Sequence, residues 1–318
     1  MKFAVVSRLK NFMATTHDSV SRNALNQAMA AELCTPLATG RMLFTYLMNG
    51  VAFVLAGLAM LPLFSILFKI LTEGVSRISP EVFTALPAPV GMEGVPNGFA
   101  NAIIGTFTMV GLASIVSIPI GGLTGIYLSE FSRRGSRLAD TVRFLLQVLS
   151  GVPSIVVGVF AYGAVVLTTK TFSAYAGSFA LSVIMIPIVA LTTEEALKLV
   201  PVPLRLASAG LGASRFQTTF RVVVATALPA ITTGTLLAVA RAAGETAPLI
   251  FTALFSQNWS EGLDKPTASL SVLIYNYSLS AFVEQNQMAW TAAVVLVFLV
   301  LTTNILSRLA TRRRLKLR

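Results

Sequence analysis

Six long apolar stretches separated by shorter polar segments set the pattern of this chain, at approximately residues 43–71, 100–128, 144–167, 172–192, 222–254 and 288–309. A helix rises about 1.5 Å per residue, so roughly 20 apolar residues cross the hydrocarbon core of a bilayer. Each stretch meets that length, and the longer ones allow tilt or extension beyond the membrane. The pattern predicts an all-α integral membrane protein of about six transmembrane helices. The division between the third and fourth stretches rests on Thr168 to Thr171 alone. Two connections on the outer side are long, about 72–99 and 255–287. The first holds Pro80, Pro87, Pro89, Gly91, Gly94 and Pro96, a composition that predicts irregular backbone. The second contains an apolar piece at 269–279, too short to span and expected to be re-entrant or interfacial.

Composition agrees with a membrane solvent. Of 318 residues, 55% are hydrophobic and 12% charged, where soluble domains average about 25% charged. The formal net charge of +11 raises nucleic-acid binding as a question, because basic stripes neutralise phosphates. Here the cations sit in short blocks between apolar runs, which is a topology signal, so no nucleic-acid partner is expected. Of the 24 Lys and Arg, nineteen fall on one side of the six crossings. Four fall on the other (Lys69, Arg77, Lys170 and Lys265), and Arg241 lies within a span. That asymmetry predicts both termini in the cytoplasm.

The expected organisation is a cytoplasmic N-terminal segment at 1–42, a transmembrane domain at 43–310 with a cytoplasmic loop at about 193–221, and a basic tail at 311–318. The first 40 or so residues show no short apolar core with a small-residue cleavage site, so no secretory signal is expected. Residues 20–33 read as a short amphipathic helix, either lying on lipid or leading in through solvent. With one cysteine, Cys34, and one histidine, His17, neither a disulfide framework nor a Cys/His metal site can be built. Catalysis by this chain alone is not expected. A GxxxxGK[ST] phosphate loop is also missing, so no nucleotide or other cofactor is expected on it.

The spans are interrupted by Pro62, Pro119, Pro153, Pro187, Pro229 and Pro248, and Gly121 and Gly125 form a small-xxx-small pair. Such residues describe a tight, bendable bundle suited to alternating access. Within Arg241 to Pro248 (Arg-Ala-Ala-Gly-Glu-Thr-Ala-Pro), Arg241 and Glu245 are charges inside a span. Each costs roughly 2.5–3.5 kcal/mol at the bilayer centre, so the two need a reason. Spacing i, i+4 puts them on one helix face. They are either an internal ion pair that holds the bundle, or a polar lining in which Arg241 offers its donor fork to an oxyanion while Glu245 limits the affinity. Gly244 and Pro248 make a local hinge there.

The cytoplasmic loop carries a second unusual stretch. After Glu194, Glu195, Ala196 and Leu197, and after Pro201 and Pro203, comes Gly210-Leu-Gly-Ala-Ser-Arg-Phe-Gln-Thr-Thr-Phe-Arg221. Phe216 and Phe220 recur at helical spacing beside Arg215, Gln217 and Arg221, which predicts a short amphipathic helix with an aromatic face. Those rings bury against this bundle or against a partner protein.

Residues Gly212 to Val222, with Ala213-Ser214-Arg215-Phe216-Gln217 at their centre, resemble the EAA loop of ABC-importer permeases. The glutamate expected six residues before Gly212 is Leu206, and the usual Leu-Pro after the segment reads Val224-Ala225. Ser150-Gly-Val-Pro-Ser154 and the run from Arg241 to Ala253 resemble the PstA-type permeases of phosphate importers. The likeness extends from about Gly105 to the C-terminus. It implies a type I importer fold in a bacterial inner membrane, with Arg241, Gly244, Glu245, Thr246 and Ser154 along the substrate path. It also implies that Glu195, Ala196, Gly212, Ala213, Ser214, Arg215, Phe216 and Gln217 couple to an ATPase. The implied partners are a PstC-type sister permease, an ATP-binding-cassette ATPase dimer holding ATP and Mg²⁺, a periplasmic phosphate-binding protein and membrane lipids. The alternatives are an ABC permease for sulfate, molybdate or phosphonate, an ion-driven secondary transporter, or a signalling scaffold. Six spans with one embedded acid fit the secondary transporter poorly.

Overall fold

A computed structural model describes residues 39–316 apart from Glu93 and Arg134, with side chains as far as Ile305. His17, Cys34 and the amphipathic stretch expected at 20–33 lie outside the described residues. Every regular element among the described residues is helical. The chain divides into two units, Met1–Ile66 and Leu67–Arg318. In the first, the described part is the apolar opening of α1 (Thr39–Val75), with Pro62 inside the helix.

The second unit holds the remaining elements. Helix α2 (Ala100–Ile126) ends in a π-helical turn, Tyr127–Phe131. Next come α3 (Arg137–Gly151), α4 (Ser154–Ala161, continued by wider turns to Thr169) and α5 (Ala174–Lys198). Between α5 and the next long helix lie α6 (Val202–Gly210) and a single turn, Arg215–Gln217, which runs through a π turn, Thr218–Val223, into α7 (Val224–Gly244). The chain closes with α8 (Ala247–Thr252), α9 (Leu270–Ser278) and α10 (Val283–Lys316). The last helix runs past the expected end near residue 309.

Among the described residues five helices are long and apolar enough to span, and α3 with α4, bent by 102° where they meet, pass the same test only as a pair. The stretch expected at 144–167 is two helices that meet at Pro153, one of the prolines read as interrupting the spans. Proline disfavours the helical region for the residue before it. Val152 and Pro153 both take extended backbone, with ψ of 132° and 134°. Pro119, Pro187 and Pro229, by contrast, stay inside their helices. The expected span at 222–254 is corrected in the same way. Helix α7 stops at Gly244, and Glu245 is extended at ψ 127°. The proline at 248 occupies the first turn of α8, where its missing N–H leaves no bond unmade.

Helix α5 is the axis of the second unit, with Leu181, Met185 and Val189 fully buried. Met109 of α2, Ala238 and Ala242 of α7, Leu249 of α8 and Val272 of α9 join the same core. Helices α2 and α5 meet closely because Gly121 and Gly125 have no side chain. A Cβ on Gly125 would fall 2.5 Å from the Ala190 carbonyl oxygen, and one on Gly121 would fall 2.9 Å from that of Ile186. Helix α9 is packed in protein, with Leu270, Val272 and Leu273 buried. Its starting amides are satisfied by Thr106 Oγ1 (2.9 Å from Leu270 N) and Ser269 Oγ (3.4 Å from Val272 N). Those bonds satisfy the start of this short helix within the protein, as either a re-entrant or an interfacial piece requires.

Candidate functional site

The break after α7 places Arg241 on the last helical turn and Glu245 just beyond it. Arg241 Nε donates to Glu245 Oε1 at 3.2 Å. The Arg241 side chain is 51% exposed and that of Glu245 14%, so the acid is tucked in and the cation faces outward. The two Nη groups of Arg241 take no hydrogen-bond partner among the described residues. The guanidinium thus keeps the outer edge of its fork open while Nε holds the acid. The carbonyl of Glu245 accepts from Ser271 Oγ at 2.8 Å, which ties the break to α9.

Arg241 also lines a recess of about 10 Å³ with Leu149, Ser150, Val152, Ser154, Ile184 and Ile188. That volume is roughly one water. Two sequence segments read separately, Ser150 to Ser154 and Arg241 to Glu245, therefore meet. The reason is the 102° bend, which turns the start of α4 toward α7. Gly244 and Thr246 flank the break without lining the recess. Thr246 is the N-cap of α8, and its carbonyl accepts from Leu249 N and Ile250 N. A larger cavity, about 170 Å³, lies among α2, α7 and α10. Phe107, Val110, Leu236, Val239 and Leu299 contribute to its wall, and no charged side chain does. Its polar lining is limited to Thr106, Ser114, Thr303 and Asn304.

In the loop between α5 and α7, Gly212 takes φ +80°, a left-handed conformation that suits glycine. Ala213 follows, its amide bonded to the Ser208 carbonyl. Ser214 and Gln217 then form a capping box: Ser214 Oγ accepts from Gln217 N at 3.3 Å, and Gln217 Oε1 accepts from Ser214 N at 2.9 Å. Phe216 is 63% exposed, its ring centroid 4.5 Å from that of Phe220. Arg215 reaches back to the Glu130 carbonyl and lies over the Phe131 ring at 5.5 Å. Glu195 and Ala196, expected to open the loop, lie instead on the last turns of α5. Glu195 is exposed, but Ala196 is buried with Leu197, Val200, Val223 and Ala227 and packs rather than projects.

Residues 117–316 match the family described as the binding-protein-dependent transport system inner membrane component. The phosphate transport system permease protein PstA of Haemophilus influenzae is 42% identical over 264 residues, covering 83% of this chain and 92% of that one. The protein of the same name from Yersinia pestis is 42% identical, covering 76% and 81%. The chain belongs to the PstA-type family of ABC-importer permeases. It is thus a multi-pass inner-membrane transporter subunit. The permease fold recurs in the inward-facing MetNI methionine ABC transporter (TM-score 0.52, 20% identity, 67% of this chain and 92% of that one). A bacterial alginate ABC transporter shares it as well (TM-score 0.57, 14% identity, 86% and 94%).

Within this PstA-type chain, sequence reasoning passed over Glu130 and read Glu194 only as part of the stretch that opens the loop. Glu194 is buried, 2.7 Å from both Arg143 Nε and Lys198 Nζ. Glu130 is 2.8 Å from Arg205 Nη2. A signal was available: both carboxylates end apolar runs and face the basic blocks counted for topology. Lys198 is one turn from Glu194, but Arg143 and Arg205 lie 51 and 75 residues from their acids, and only the fold shows which of them meets which.

Proposed function

We propose that this chain is the transmembrane half of an ATP-driven phosphate importer, moving inorganic phosphate past Arg241. The observation that carries this reading is the open guanidinium edge beside Ser150 and Ser154 in a chain so similar to PstA proteins. Two Nη groups match two phosphate oxygens, and the N-terminus of α4 adds a favourable dipole end at Ser154. Glu245, already bonded to Nε, competes with the anion and keeps it from binding too tightly to leave. Gly244 and Thr246 give the break the freedom to re-aim both charges.

The segment Gly212 to Gln217, with Phe216 leading, docks on a separate ATPase that binds ATP and Mg²⁺; this chain hydrolyses nothing. Glu195 lies at the rim of that docking surface. A PstC-type sister permease completes the path, and a periplasmic phosphate-binding protein delivers substrate. Both termini lie in the cytoplasm, as the Lys and Arg distribution supports.

The test is ATP-dependent uptake of radiolabelled phosphate in proteoliposomes containing the chain with its ATPase, binding protein and sister permease. Arg241→Ala removes charge-assisted bonds of about 1.5–3 kcal/mol, so uptake should fall roughly ten- to hundredfold. Uptake that persists in Arg241→Ala, or returns in the double change with Glu245→Ala, would reduce the pair to a structural one. Full competition by sulfate would move the substrate to another oxyanion.

A further inference from the structure

We infer that Glu130 is the positioning residue through which the cytoplasmic loop grips α2. Loop 193–221 is covalently continuous with α5 and α7, but it has no chain connection to α2. Glu130, at the end of α2, supplies one from two of its groups. Its carboxylate receives Arg205 in a two-point contact, Nη2 to Oε1 at 2.8 Å and Nε to Oε2 at 3.5 Å. Its backbone carbonyl receives Arg215, whose guanidinium also covers the neighbouring Phe131 ring. Both arginines belong to the loop, one before and one after the turn at Gly212.

The grip is enclosed and specific. The Glu130 side chain is 10% exposed and that of Arg205 24%. Ser129 Oγ donates to Glu130 Oε1 at 3.1 Å and fixes the carboxylate. Arg205 also donates to the Leu197 and Val200 carbonyls at the end of α5. One guanidinium therefore joins α2, α5 and α6. Enclosed ion pairs add little net stability over apolar side chains of like volume, but they specify one geometry. The π turn at Tyr127–Phe131 points the same way, since such insertions re-aim side chains and recur at functional sites.

At the opposite end, Thr106 of α2 holds the Leu270 amide, and Ser271 holds the Glu245 carbonyl. Helix α2 thus links the loop on one face of the membrane to the break beside Arg241. A displacement of the loop pulls on α2 through Glu130, and α2 carries α9 and the break with it.

This inference rests on the proposed coupling of the loop to an ATPase, and one preparation separates the two. The full complex in proteoliposomes is assayed for phosphate taken up and for ATP hydrolysed, with Glu130→Gln, Arg205→Lys and the exchange Glu130→Arg with Arg205→Glu. Wild-type uptake tests the transport reading itself. In each single variant the complex still co-purifies and hydrolyses ATP, but phosphate moved per ATP falls about tenfold. The exchange restores opposite charges but gives up the bonds from Arg205 to the Leu197 and Val200 carbonyls, so it recovers part of that ratio and not all of it. An unchanged ratio in the single variants overturns the inference. So does loss of the ATPase from both, because a pair that only holds the fold gives that result.

Discussion

Replacing Gly125 with alanine adds one methyl group at the tightest point between α2 and α5. An ideal Cβ there lies 2.5 Å from the Ala190 carbonyl oxygen, 2.7 Å from Thr193 Cβ and 3.0 Å from the Glu194 amide nitrogen. Comfortable carbon contacts fall at about 3.5–4.0 Å, so the helices must part by roughly 1 Å. Two of the three atoms are backbone, and no rotamer change relieves them. Overpacking of this kind costs about 1–3 kcal/mol. Gly122 is the internal control, because a Cβ there meets nothing within 4 Å. Alanine at 122 brings only its helix preference, about 0.5–1 kcal/mol in its favour. Alanine at 125 brings the same preference and the clash besides, so the gap between the variants is the clash, about 2 kcal/mol. At about 2.1 cal/mol/K of unfolding entropy per residue, a chain of 318 residues shifts by about 3 °C in Tm. The assay is thermal unfolding of the purified chain in one detergent, followed by the fluorescence of Trp259 and Trp290. Gly125→Ala melting level with Gly122→Ala, or above it, would refute the close-approach argument.

Two further outcomes test the cytoplasmic surface and the topology. Phe216→Asp puts a charge on the exposed ring position of the loop, and the ATPase that co-purifies with the complex should fall about thirtyfold, as for a hot-spot loss of 2 kcal/mol; undiminished co-purification sinks the docking assignment. In a Cys34→Ser background, Lys170→Cys should react with a membrane-impermeant maleimide on intact cells and Arg215→Cys should not, while the reverse labelling would invert the topology.

The apolar runs made the crossings legible, and the cation count made their polarity a definite expectation. What they could not convey was where a crossing stops being straight. Pro119, Pro153, Pro187, Pro229 and Pro248 look alike in sequence, yet only the second and the last mark breaks. At Pro153 the departure begins at Val152, just after Gly151, and at Pro248 it begins after Gly244. Those outcomes depend on what packs alongside, which lies far away in the chain. The same limit applies to the site. Arg241 and Glu245 announced themselves as charges in an apolar run, and the Ser214–Gln217 capping box is a local signal. The meeting of Ser154 with Arg241, and of Glu130 with Arg205, joins residues 87 and 75 apart, beyond any periodicity.

A nascent chain is made from its N-terminus, so residues 144–167 reach the lipid before Arg241, Ala247 or Pro248 has been synthesised. Val156 N and Val157 N bond the Pro153 carbonyl, so the bend carries its own hydrogen bonds, and what the later chain supplies is packing. The right-angled form needs its later neighbours. A Cβ on Gly158 would lie 2.7 Å from Pro248 Cα, so α8 is the seat against which α4 settles. The middle of the chain therefore takes its final shape only after the later helices have been inserted. A ribosome halted before residue 247 would leave a product whose third crossing is in place and whose pathway has never been assembled.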